Sequence, residues 1–253
     1  MGKFDDETEK PSRLRTAKEG EVVGVTISEI AKESKQQKLK ARAANPLFQI
    51  WQAWQMQLSE TGGPLPTLYN AVAVFDNDPT YTGAIWYDEF LQRIMVRNSP
   101  VREWADHDDV AAAFHMQSQI GLTRIGRDIV NQAVIQVARK NTRNCMRDWF
   151  DSLIHDGEPR IDQFFEDHFG ADATEYTRAA SRNFWISMVA RIYRPGCKVD
   201  NMIVLEGPQG LGKSQALGII GGEHFAEQHE SATNPKAFAE ILQGKLLIEI
   251  SEM

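Results

Sequence analysis

Residues 201–214 read NMIVLEGPQGLGKS, and no other stretch restricts the possible folds of the chain so tightly. Residues 202–205 are four consecutive apolar side chains, as in a strand buried on both faces of a parallel sheet. Gly207, Pro208, Gln209, Gly210, Leu211, Gly212, Lys213 and Ser214 then satisfy the pattern G-x-x-x-x-G-K-[ST] at every position. Gln215 and the residues up to 220 predict a helix, closed by Gly221 and Gly222. The order strand, glycine loop, helix suits a polyphosphate. Its dense negative charge needs inward-pointing backbone N–H groups that no side chain obstructs, and the positive end of a helix dipole adds to them. In that chemistry Lys213 reaches the β- and γ-phosphates of ATP and the Ser214 hydroxyl ligates Mg²⁺, while Gln215 joins residues 207–214 as a nucleotide-binding position. The plainer alternative is a glycine-rich turn between a strand and a helix.

A second segment fits the same chemistry. Residues 246–252, LLIEISE, predict an apolar strand ending in acids. A nucleotide motor uses one carboxylate there to hold the metal and another to orient and deprotonate the attacking water. Glu249 is the candidate for the metal, in the place where Asp is more usual, and Glu252 is the candidate base. A sheet strand with solvated acids at its tip is the competing interpretation. Only two strands of such a sheet are legible, residues 202–205 and 246–250. The expected fold class is therefore an α/β P-loop NTPase core, incomplete at its C-terminus, preceded by a mainly α-helical domain. With no further strand, γ-phosphate sensor or arginine finger in view, weak ATP binding and little hydrolysis are expected.

The remaining sequence divides into a flexible charged leader over residues 1–44, a helical domain over 45–142, a helical region over 143–200 leading into the core, and the core itself over 201–253. Helices are predicted over 27–43, 46–58, 67–75, 86–96, 110–120, 127–141, 145–154, 160–170, 176–193 and 235–242. In the 86–96 segment Phe90, Leu91, Ile94 and Met95 form an apolar stripe, and Asp108 or Asp109 is the expected cap of the 110–120 helix. Successive short helices suggest a winged-helix type of domain. In the 176–193 helix and just beyond it, Arg178, Arg182, Arg191, Arg194 and Lys198 stand without an acid between residues 176 and 199. They mark a face for DNA or for a neighbouring subunit's nucleotide, or equally a solvated face paired with the acids of 162–175.

Composition narrows the setting. The chain is 42% hydrophobic and 25% charged, with net charge −7, so it carries no general basic signature for nucleic acid. Cys145 and Cys197 are too few for a disulfide framework or a zinc site, which favours a reducing cytoplasm. The first ten residues hold no apolar core for a signal peptide, no run of apolar residues is long enough to span a membrane, and Asp6 stands where a myristoylation motif needs Ser or Thr.

Residues 194–214, RPGCKVDNMIVLEGPQGLGKS, with 242–253, LQGKLLIEISEM, resemble the virulence-associated protein E family of phage and prophage P-loop proteins, which is similar to superfamily 3 helicases and often fused to a primase. LPTLYNAVAVFDNDP (65–79), IWYDEF (85–90) and LIHDGEPRID (153–162) agree with it. In the last segment His155 replaces the family's usual Trp, while Asp156, Gly157, Pro159 and Arg160 match. The resemblance covers residues 64–253. It implies an ATP-dependent role in phage or mobile-element DNA replication, with DNA as a partner and a homo-oligomeric ring as the working form. It also implies Gly207, Gly212, Lys213 and Ser214 as the phosphate loop and Glu249 and Glu252 as the acidic motif. A small-molecule kinase would need an Arg-rich lid, yet residues 216–244 offer only Lys236, and a GTPase would need an Asn-Lys-x-Asp motif that is not present. A non-catalytic assembly module, with residues 45–142 binding a partner and the nucleotide core vestigial, is the alternative from a different class.

Overall fold

The computed structural model describes residues 44–228 and 235–250. The leader up to residue 43, the helix predicted over 27–43, and Glu252 lie outside the described residues. The architecture is mixed α/β, mostly helical with two small sheets.

The main core is built by helices that begin where the sequence offers caps. Helix α1, Pro46–Ala53, starts behind Asn45, whose side chain accepts from the Leu47 N–H at 3.0 Å, with Pro46 where its missing N–H costs nothing. Helix α2, Leu68–Asn77, is capped by the Thr67 hydroxyl. It packs against α4, Arg127–Lys140, and Val74, Phe75, Val130, Ala133 and Val134 between them are all fully buried. Burying each of the larger of these side chains contributes about 1.5–3 kcal/mol. The Trp51 indole closes the cluster from α1, donating to the Ile120 carbonyl at 2.7 Å.

No helix forms over 86–96. Strands β1, Ile85–Asp88, and β2, Arg93–Val96, pair antiparallel with Ile85 opposite Val96 and Asp88 opposite Arg93, and β3, Arg102–Glu103, extends the sheet beyond β2. The apolar stripe is real, but a side chain overrides it. Buried Asp88 accepts from the backbone N–H groups of Phe90 and Leu91, both at 2.9 Å, which fixes a turn where helical hydrogen bonds would have to run. Ile85, Trp86 and Tyr87 then suit a strand better than a helix.

Helix α3, Asp106–His115, also begins earlier than expected, and neither Asp108 nor Asp109 is its cap. Ala105 holds the cap position. Asp108 lies inside the first turn and reaches back to the Ala105 N–H at 2.8 Å, while Arg102 grips both its oxygens at 2.6 Å. Asp109 is buried and accepts from the Trp104 indole at 2.9 Å and the Asn131 amide at 3.0 Å. A π-helical turn, Met116–Ile120, ends at Gly121 and leads to α4.

Helices α5, Cys145–Ser152, α6, Phe164–Phe169, and α7, Glu175–Tyr193, follow, with Phe164, Phe165, Phe184 and Trp185 ring-to-ring between the last two. Of the cations on and after α7, Arg178 pairs with Glu166 at 2.9 Å, Arg182 with Asp162, and Lys198 with Asp200 at 3.0 Å.

The largest departure from expectation lies at residues 202–205. They form no strand; Met202 and Val204 are about 60% exposed, and no described strand runs beside them. An apolar run becomes a strand only when a neighbour takes its N–H and C=O groups, and none of the described residues does so here. The parallel sheet that does form pairs β4, Phe225–Gln228, with β5, Leu247–Ile250. Helix α8, Lys213–Gly221, packs against it, and α9, Pro235–Leu242, precedes β5. No helix among the described residues is long and apolar enough to cross a membrane.

Candidate functional site

The glycine loop turns where its sequence allows. Gly210 and Gly212 take φ of +85° and +77°, left-handed values that side chains resist, and the second of these turns the chain straight into α8. Residues 207–212 are exposed, including Pro208, Gln209 and Leu211. Lys213 is the first residue of α8, and its ammonium curls back over the loop to donate to the carbonyls of Gly207 at 2.8 Å and Pro208 at 3.1 Å. The N-terminal N–H groups and positive dipole end of a nine-residue helix therefore lie beside the one ammonium group of the loop. The Gln215 side-chain oxygen lies 3.7 Å from where a β-carbon on Gly212 would sit, so this residue belongs to the same corner of the site.

The second motif arrives from β5. The Ser214 hydroxyl donates to Glu249 Oε1 at 2.7 Å, joining residues 35 apart in sequence. The other oxygen, Oε2, is buried and has no hydrogen-bond partner among the described residues. A carboxylate and a hydroxyl in contact, with one carboxylate oxygen left over, form an all-oxygen donor pair of the kind that hard cations such as Mg²⁺ take. The residues present fit the metal that the sequence implied. Parallel pairing places Glu249 opposite Glu227 of β4, so the sheet, with α8 packed on it, presents the carboxylate to the first turn of that helix. The structure thus brings together Gly207, Gly212, Lys213, Ser214 and Glu249. It describes no strand leading into the loop.

Residues 150–253 match the virulence-associated protein E-like domain. That stretch carries this domain. The matched residues include the whole loop, Ser214 and Glu249, and the family is associated with phage and plasmid P-loop NTPases. The virulence-associated protein E-like domain also takes in the 153–162 segment, where Asp156 and Arg160 form a double hydrogen bond at 2.9 and 2.7 Å. The Arg160 guanidinium holds the Asp156 carboxyl far below the usual carboxylate range. Segments 65–79 and 85–90 lie ahead of the matched residues. No curated protein matches the chain.

Sequence reasoning did not anticipate the neighbour of this site. The tip of the β1–β2 hairpin touches the turn from which β5 departs: the Gly244 N–H donates to the Phe90 carbonyl at 3.2 Å, and the Phe90 ring meets the His224 ring edge-on at 5.1 Å. The available signal was the cluster Ile85-Trp86-Tyr87 ahead of Asp88, strand-forming residues closed by a turn former.

Proposed function

We propose that this chain binds ATP with Mg²⁺ at the 207–214 loop and serves as the nucleotide-binding part of a helicase-type ATPase in phage or mobile-element DNA replication. One observation carries the reading: the Ser214–Glu249 contact, which brings the end of a complete phosphate-loop pattern against the acidic strand with a carboxylate oxygen to spare. Gly207, Pro208, Gln209, Gly210, Leu211, Gly212 and Gln215 line the phosphates. Lys213 leaves its two carbonyl partners and neutralises β- and γ-phosphate charge. Ser214 and Glu249 would hold the metal, and Glu252 accepts a proton from the water that attacks the γ-phosphorus as the bond to the β–γ bridging oxygen breaks and ADP leaves. When bound, Mg²⁺ screens the phosphate oxygens against one another. DNA and further copies of the chain, arranged as a ring, are the partners this reading entails.

The run at 202–205, with Met202 and Val204 exposed and no partner strand among the described residues, favours a second reading, in which the chain is an assembly module with a vestigial nucleotide site. Titration of the chain with Mg²⁺ and ATP, ADP or AMP separates the two. A phosphate loop grips ATP and ADP far more tightly than AMP, because its contacts are to the β- and γ-phosphates. Equal or absent affinity for the three supports the assembly module. Phosphate release that rises on adding single-stranded DNA supports the helicase-type role.

A further inference from the structure

We propose that the tip of the β1–β2 hairpin is a positioning device for the acidic strand, so that the state of the helical region ahead of the virulence-associated protein E-like domain sets how well the site uses Mg²⁺. The inference rests on the nucleotide reading above.

The tip is built stiffly. Asp88, wholly buried, holds the N–H groups of Phe90 and Leu91 with one carboxylate oxygen and the Cys145 N–H at 3.0 Å with the other, which ties the turn to the start of α5. A second fastening runs between Tyr87, Glu89 and Arg143: the Arg143 N–H donates to the Tyr87 carbonyl and the Glu89 N–H to the Arg143 carbonyl, both at 2.9 Å. Groups held this way by buried hydrogen bonds move as a unit.

What the tip touches is the shared root of β4 and β5. Gly244 is buried beneath it with φ +67°, and a β-carbon there would come within 3.0 Å of the Leu91 side chain. The Gly244 carbonyl lies 3.0 Å from His224 Nδ1, and the His224 carbonyl accepts the Leu246 N–H at 2.8 Å. His224 directly precedes β4, and Leu246 directly precedes β5. Phe90 therefore presses on the residue that links the two strand roots, and β5 runs from that root to Glu249. Lys213 hangs instead on α8 and on the loop's own carbonyls. Helix α8 packs on the same sheet, but the root reaches Glu249 directly along β5, so moving it disturbs the Glu249–Ser214 contact more than the phosphate grip. Reciprocity follows: metal-bound nucleotide tightens the seating of the hairpin.

The test measures the affinity of the full chain for a fluorescent ATP analogue with Mg²⁺ and with a chelator. Phe90→Ala is expected to reduce the gain in affinity from Mg²⁺ by about fivefold or more while leaving the metal-free affinity within about twofold, a split that coupling through β5 requires and general loosening does not produce. Phe90→Tyr, which keeps the ring, is expected to restore the gain. Should Phe90→Ala melt the fold, Gly244→Ala replaces it: the gain falls in that variant and partly returns in Gly244→Ala/Leu91→Ala, where the colliding side chain is removed. An unchanged Mg²⁺ gain in folded Phe90→Ala and Gly244→Ala, or a parallel fall in both affinities, overturns the inference and leaves the nucleotide reading standing. A wild-type chain that binds no nucleotide under either condition sinks the nucleotide reading and this inference with it.

Discussion

Ser214 and Glu249 meet at 2.7 Å, hydroxyl to carboxylate, where the first turn of α8 faces the middle of β5. Neither residue is distinctive alone. Their contact, beside a lysine that closes on the loop's own carbonyls, turns two separate sequence patterns into one candidate site.

Removing the charge while keeping the shape tests the metal half of that site. Glu249→Gln retains an acceptor for the Ser214 hydroxyl but loses the anionic oxygen. It is expected to weaken ATP binding in Mg²⁺ by about tenfold or more, with little change in a chelator. Calorimetric titration under both conditions reads the difference.

Asp88 supports the fold at a distance from the loop. Asp88→Ala strands three backbone N–H donors, those of Phe90, Leu91 and Cys145. A cost of about 2–4 kcal/mol is expected, because buried donors without partners keep their desolvation penalty. The shift in urea midpoint measures it, with Asp88→Asn retaining part of the loss.

Two carboxylates make the stability depend on acid. The Arg102 guanidinium holds Asp108 below the usual carboxylate range. Burial pushes Asp78 up, but hydrogen bonds from His115 and Thr80 outweigh it and leave that carboxyl lowered as well. A carboxyl whose folded value lies below its unfolded value of 3.8 contributes stability that is complete above about pH 4–5 and lost as pH falls through the folded value. The urea midpoint is therefore expected to hold level above pH 5 and to fall below pH 4. Asp108→Asn is expected to start lower at neutral pH and to fall less steeply in acid.

The loop, its helix and the acidic strand were legible because each depends on residues close in sequence: glycines at the turns, Lys213 and Ser214 at the helix start, and Leu247 to Ile250 as an apolar run. The helices capped by Asn45, Thr67 and Thr174 were legible for the same reason, with starts within one residue of expectation, although the first ends at Ala53 and not at residue 58. The failures turn on partners, near or far, that apolar periodicity does not reveal. Residues 202–205 have the composition of a strand but no described neighbour. Residues 86–96 have a helical stripe, but Asp88 gives the Phe90 and Leu91 N–H groups a different acceptor. For Arg178 and Arg182 the sequence left two accounts open, and their pairing with Glu166 and Asp162 agrees with the one that set them against the acids of 162–175. The contact between Phe90 and His224 spans two regions that no local pattern connects.

Calorimetric titration of Mg²⁺ and ATP into the wild-type chain and Lys213→Ala tests the central claim most directly. Saturable binding to the wild type, weakened beyond detection in a variant that melts at the wild-type temperature, is the result this account predicts. Equal affinity in the two proteins contradicts it.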